Sequence, residues 1–112
     1  MGISTHVLDT ARGRPGNGIS VTLEIESQGA FSMVGRGVTN ADGRITALLA
    51  EGTLLQAGVY RLSFELESYF KTLGIDAFYP SASIVFRVKN AAEHFHVPLL
   101  LSPFGFSTYR GS

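Results

Sequence analysis

Apolar residues recur along this chain at every second position, in short runs punctuated by Gly, Pro and Asn. A strand sends successive side chains to opposite faces, so a period of two marks a sheet buried on one side. Ile19, Val21, Leu23 and Ile25 form one such face, and Tyr60, Leu62, Phe64 and Leu66 form another. Residues 83–88 are a third run, dominated by β-branched and aromatic side chains. Further candidate strands cover 4–11, 31–39, 44–50, 95–100 and 106–110, about eight in all. Turn signals separate them at 13–18, 40–43 and 51–52. The pattern predicts an all-β sandwich. One segment departs from it: residues 68–74 carry Ser68 as a candidate N-cap, helical spacing of Phe70 and Leu73, and a closing glycine, which predicts one short helix.

At 112 residues the chain reads as a single domain spanning 1–112, able to bury roughly two-thirds of the surface its unfolded form exposes. Charged residues make up 16%, against about 25% in an average soluble protein, and 45% are hydrophobic. Part of the apolar surface is therefore expected to face other subunits. Nine basic residues balance nine acidic ones without clustering, which argues against nucleic acid or an anionic membrane as partner. There is no cysteine, hence no disulfide framework and no thiol nucleophile. No basic-then-apolar leader and no apolar stretch of about 20 residues is present, so the chain reads as soluble and cytoplasmic. Met1-Gly2 does not open a myristoylation signal, because His6 stands where Ser or Thr is required.

Three histidines, His6, His94 and His96, come from opposite ends of the chain. Imidazole is the side chain whose ordinary pKa, about 6.5, best suits proton transfer near neutrality. Alternation puts His94 and His96 on one strand face, with Phe95, Val97 and Leu99 on the other. It also puts His6 with Ser4 and Leu8, and Asp9 on the opposite face, so Asp9 is not placed to orient His6. His94 reads as a solvated or hydrogen-bonded strand residue. Arg44 closes the turn of Asn40, Asp42 and Gly43, where an arginine is ordinarily a surface charge. The chain closes on Tyr109-Arg110-Gly111-Ser112, a phenol, a guanidinium, a hinge and a hydroxyl, which suggests a terminus that is held and used. Pro98 removes a ladder donor from its strand and suggests an edge position or a bulge there.

Three segments together carry a family resemblance: 4–15 (Ser-Thr-His-Val-Leu-Asp-Thr-Ala-Arg-Gly-Arg-Pro), 40–44 (Asn-Ala-Asp-Gly-Arg) and 94–103 (His-Phe-His-Val-Pro-Leu-Leu-Leu-Ser-Pro), followed by the terminal tetrapeptide. In order and over essentially the whole length, they resemble the 5-hydroxyisourate hydrolases, the purine-degrading branch of the transthyretin-related proteins. The resemblance implies a transthyretin-like sandwich of two four-stranded sheets with one short helix. It also implies a homotetramer, a dimer of dimers, with active sites in the channel between dimers. By the same resemblance His6, Arg44, His96 and Ser112 are the catalytic set, and His6, Arg44 and Tyr109 bind substrate, with no metal and no cofactor. Phe106 is a small departure, since many relatives have Tyr there.

The reaction so implied is hydrolysis of 5-hydroxyisourate at its N1–C6 amide. One of His6 and His96, with His96 the first choice, takes a proton from water, and Arg44 holds the substrate and the developing oxyanion. Sequence leaves open which histidine is base and which is acid. It also leaves open whether Ser112 positions water or protonates the leaving nitrogen. Two other readings stand beside this one. His94-Phe95-His96 with a third histidine has the spacing of a zinc hydrolase. A non-enzymatic carrier of an aromatic molecule would use the same fold and channel, because fold does not fix function.

Overall fold

The computed structural model describes residues 2–112, and there the alternating runs become strands. In chain order these are β1 (Ile3–Asp9), β2 (Arg14–Pro15), β3 (Ser20–Ser27), β4 (Ala30–Val38), β5 (Arg44–Ile45), β6 (Gly58–Glu65), β7 (Ser81–Val88), β8 (Phe95–Ser102) and β9 (Gly105–Thr108). A helix, α1 (Glu67–Thr72), joins β6 to β7. One sheet has the order β4-β3-β6-β7 and is antiparallel throughout. The other has the order β2-β1-β8-β9, with β5 lying beside the first half of β1. In that second sheet β1 and β8 run parallel, paired from Ile3↔Phe95 to Asp9↔Leu101.

The inward faces are the apolar phases of the alternation. Ile3, Val7, Leu99 and Leu101 come from one sheet, and Val21, Leu23, Tyr60, Leu62 and Phe64 from the other, all essentially without solvent exposure. Each contributes about 1.5–3 kcal/mol by leaving water. Buried polar groups are paired: the Thr5 hydroxyl donates to the Val97 carbonyl at 2.6 Å, and Thr39 Oγ1 donates to Gly16 O at 2.6 Å while accepting from Ile19 N–H. Among the described residues no buried side-chain polar atom lacks a partner. None of the described helices is long and apolar enough to cross a membrane.

Several elements differ in extent from the sequence expectation. The strand expected over 44–50 pairs with β1 only at Arg44 and Ile45. Beyond it the chain crosses between sheets: Leu48 N–H donates to Ile3 O, and Leu49 bridges to Gly35 of β4. A Cβ at Gly35 would sit 1.7 Å from the Leu48 carbonyl oxygen, so this crossing requires glycine. The helix begins before Ser68. Its N-cap is Leu66, with no side-chain cap, and Ser68 lies inside the first turn with its N–H on the Glu65 carboxylate at 3.2 Å. Pro80 O receives the N–H groups of Leu66 and Glu67, which supplies what a capping side chain otherwise would. Gly74, at φ +68°, ends the helix as expected. Pro98 is not at an edge, since β8 lies between β1 and β9.

Candidate active site

The turn before β5 fixes where Arg44 stands. Asn40 Oδ1 accepts from the N–H groups of Asp42 and Arg44 at 2.9 and 3.0 Å, an Asx-type closure. Gly43 adopts φ +75°, and a Cβ there would lie 2.4 Å from Val7 O. The Gly43 carbonyl accepts from Val7 N–H, which docks the turn on β1. Arg44 thereby becomes the direct cross-strand partner of His6.

On its other side β1 carries the register into β8. His6 is level with Pro98, and Ser4 is level with His96. Because directly paired residues share a face, Arg44, His6 and Pro98 form one row across the sheet, and Ser4 and His96 form the next. All lie on the face away from the core residues Ile3, Thr5 and Val7. Asp9, on the core side, is almost fully buried and accepts from the Tyr69 hydroxyl at 2.7 Å and from Arg12 N–H at 3.1 Å. It anchors α1 and takes no part in this face. Burial foremost, then the bond to Asp9, raises the Tyr69 pKa above the ordinary tyrosine value.

The end of the chain lies beside the same rows. The pairs Leu99↔Thr108 and His96↔Gly111 belong to one register, so the tail continues along β8 past the end of β9. Pro98, which has no N–H to give, falls in the gap; its carbonyl accepts from the Thr108 hydroxyl at 2.7 Å. Gly111 N–H donates to His96 O at 2.8 Å. Arg110 pairs with Glu93 at 2.8 Å and lies over the Phe95 ring, 4.4 Å from its centroid. The terminus is thus tied down by backbone and side chain together.

His96 is half-buried, and its ring is held on two sides. Nδ1 is 2.8 Å from Ser4 Oγ, and the Cδ2 edge faces Gly111 so closely that a Cβ there would come within 2.6 Å. Ser4 Oγ is also 2.8 Å from His94 Nε2. Burial first, then the positive charge of Arg44, then His6 and His94, lowers the His96 pKa below the ordinary histidine value. Its imidazole is accordingly neutral at neutral pH and able to accept a proton.

A cavity of about 180 Å³ opens between Ser4, Thr5, Arg44, Thr46, His94 and His96. His6 flanks it through its pairing with Arg44, and Ser112 follows the residue bonded to His96. Tyr109 is level with Pro98 by register but lines no part of this cavity; it is 58% exposed and borders a groove with Val85, Phe86 and Phe95. The two nitrogens of the His94-Phe95-His96 pair that meet protein converge on one serine hydroxyl. Among the described residues no three His, Asp or Glu side chains are grouped to hold a metal. Ser4 is the residue that the sequence signals only faintly: alternation sets it on the face of His6, but its place against His96 depends on the β1–β8 register.

This arrangement belongs to a recognisable lineage. The Transthyretin family model, described as the HIUase/Transthyretin family, matches residues 3–111. The 5-hydroxyisourate hydrolase of Ralstonia nicotianae is 43% identical over 114 aligned positions, covering 98% of this chain and 97% of that protein. The structure of Klebsiella pneumoniae 5-hydroxyisourate hydrolase superposes with a TM-score of 0.85 at 38% identity, covering both chains completely. Sea bream transthyretin in complex with thyroxine superposes with a TM-score of 0.90 at 29% identity, over 99% of this chain and 95% of that one. With the sandwich, the paired sheets and the sequence all in agreement, the chain belongs to the HIUase/transthyretin family.

Proposed function

We propose that this protein hydrolyses 5-hydroxyisourate, opening the pyrimidine ring at the N1–C6 amide to give 2-oxo-4-hydroxy-4-carboxy-5-ureidoimidazoline. The observation that carries the proposal is the meeting, on one solvent-facing side of a sheet, of Arg44, its cross-strand partner His6, and His96 diagonally beside them. These are the three groups that acyl transfer to water needs: a cation, an acid and a base.

His96 is the base. Kept neutral by burial and by Arg44, it takes a proton from the attacking water, a contribution of about 10² to 10⁴ in rate. Arg44 pairs its planar guanidinium with the flat, oxygen-rich substrate and meets the charge growing on the carbonyl oxygen, worth roughly 3 kcal/mol as an oxyanion donor. His6, in the row of Arg44, protonates the leaving nitrogen. Ser112, next to the residue bonded to His96, positions the water, and Tyr109 closes the substrate from the side.

The working form is a homotetramer with each site completed at a subunit interface. Supporting this are apolar side chains left in solvent by one subunit, among them Leu54, Phe78, Val85 and Phe104. A site open enough for Tyr109 to stand outside its cavity also fits completion by a second subunit.

The test generates 5-hydroxyisourate in situ with urate oxidase and follows its ultraviolet decay, with chelator present. Decay faster than the spontaneous background is expected. An unchanged rate in folded protein would overturn the proposal and favour a ligand carrier.

A further inference from the structure

The Ser4 hydroxyl has one proton and two imidazole nitrogens at 2.8 Å, Nε2 of His94 and Nδ1 of His96. It therefore donates to at most one of them and accepts from the other. The two bonds are linked: if Ser4 donates to His94, His96 must carry its proton on Nδ1, and if Ser4 donates to His96, that proton moves to Nε2. Which ring nitrogen of a histidine is free is set by the bond the other one makes. Ser4 thus decides whether Nε2 of His96 is a lone pair or an N–H.

Two features favour the first arrangement. Arg44 is a cation on the same cavity, and positive potential favours a lone pair over an N–H directed into it. When Nε2 gains a proton, both ring nitrogens become donors, and only an Nδ1–H already bonded to Ser4 Oγ meets this without the hydroxyl turning. Nothing then has to reorganise during the proton transfer, which is how preorganised groups contribute to rate.

The geometry points to Ser4 as a positioning residue, which with His94 behind it holds His96 in the Nδ1–H tautomer so that Nε2 faces the reacting water. This rests on the hydrolase proposal and extends it to residues given no role there. In the step served, the water oxygen bonds to C6 while its proton moves to His96 Nε2. His96 Nδ1–H keeps donating to Ser4, and Ser4 O–H to His94 Nε2. As C6–N1 breaks, His6 gives N1 a proton and is reprotonated through solvent by the proton that His96 releases, so both histidines return to their starting state. The charged and titratable groups that face His96 through the cycle are Arg44 on β5, His6 on β1 and His94 just ahead of β8.

The experiment pairs turnover with long-range ¹H–¹⁵N spectra of the histidine rings, recorded above the histidine titration range on full-length wild type, Ser4→Ala and His94→Ala. Wild-type His96 is expected as the Nδ1–H tautomer. Ser4→Ala is expected to shift it toward Nε2–H and to lower kcat by about 10- to 100-fold, as loss of an orienting partner typically does, with KM little changed. His94→Ala frees the serine proton to turn toward His96, so the same shift is expected at smaller amplitude. Ser4→Thr, which keeps the hydroxyl, should restore tautomer and rate. A wild-type His96 found as Nε2–H, or a Ser4→Ala variant with unaltered tautomer and kcat, would overturn the assignment. If wild type fails to turn over 5-hydroxyisourate, the hydrolase proposal fails, while the tautomer spectra still decide what Ser4 does.

Discussion

Gly111 packs closely on the imidazole of His96: its N–H bonds the His96 carbonyl at 2.8 Å, and a Cβ on it would come within 2.6 Å of the ring carbon Cδ2. The end of the chain is therefore one wall of the site. In Gly111→Ala the added methyl must push either the ring or the tail aside. Turnover is expected to fall at least tenfold, the order that small misplacements of reacting groups cost. Thermal unfolding should stay close to wild type, because the side chains an added methyl would meet, His96 and Pro98, lie on the face away from the core. Wild-type kinetics in this variant would contradict the contact.

Appending residues after Ser112 is expected to impair turnover far more than the same tag placed ahead of Met1. The C-terminal tag must leave directly past His96 and the cavity beside Arg44. Equal rates for the two tagged proteins would remove Ser112 from the site.

His96→Asn keeps a polar side chain but removes the proton acceptor, and turnover is expected to drop by about 10² or more. The oligomeric state, read by light scattering, should not change. Near-normal turnover would transfer the role of base to His6.

Burial, followed by Arg44, holds the His96 pKa below the ordinary value of about 6.5. His96 stays neutral as pH falls through that value; if it serves as base, the acid limb of kcat/KM has its midpoint below about 6.5. The stability linkage has a matching sign. Near the ordinary value the unfolded chain binds a proton that folded His96 does not. The contribution of this group is present above that pH and lost as pH falls toward the folded value. An NMR titration of His96 with a midpoint at or above the ordinary value would refute both expectations.

Tyr69→Phe removes the 2.7 Å bond from the hydroxyl to Asp9, leaving one carboxylate oxygen buried without its donor. Urea unfolding is expected to show a loss of about 1–3 kcal/mol. Turnover per folded molecule should be unaffected, because Asp9 faces the core. An equal loss of activity in folded protein would place Asp9 in the chemistry.

The alternation at 60–64 was legible because Tyr60, Leu62 and Phe64 bury one face of a strand flanked on both sides. That signal depends only on local spacing. The extent of β5 was not legible, since the residues after Ile45 leave their sheet to reach Gly35, and no short-range pattern encodes that crossing. The start of α1 was misread for a related reason: Pro80, distant in sequence, supplies the acceptor that Ser68 was expected to replace. His6, Arg44 and His96 were visible as chemistry-bearing residues in recognisable segments. Ser4 was visible only as a neighbour of His6 on its strand face, because its place against His96 depends on the β1–β8 register.

The parallel pairing of β1 with β8 joins segments 92 residues apart. Contacts of such long sequence separation are paid for in loop-closure entropy before they are rewarded, and they form late and slowly. Ser4 and His6 are synthesised well before His96 and Gly111, and they meet only after those later residues have emerged. Nascent or C-terminally clipped molecules are therefore expected to lack the assembled site, so that catalytic competence reports on completed folding.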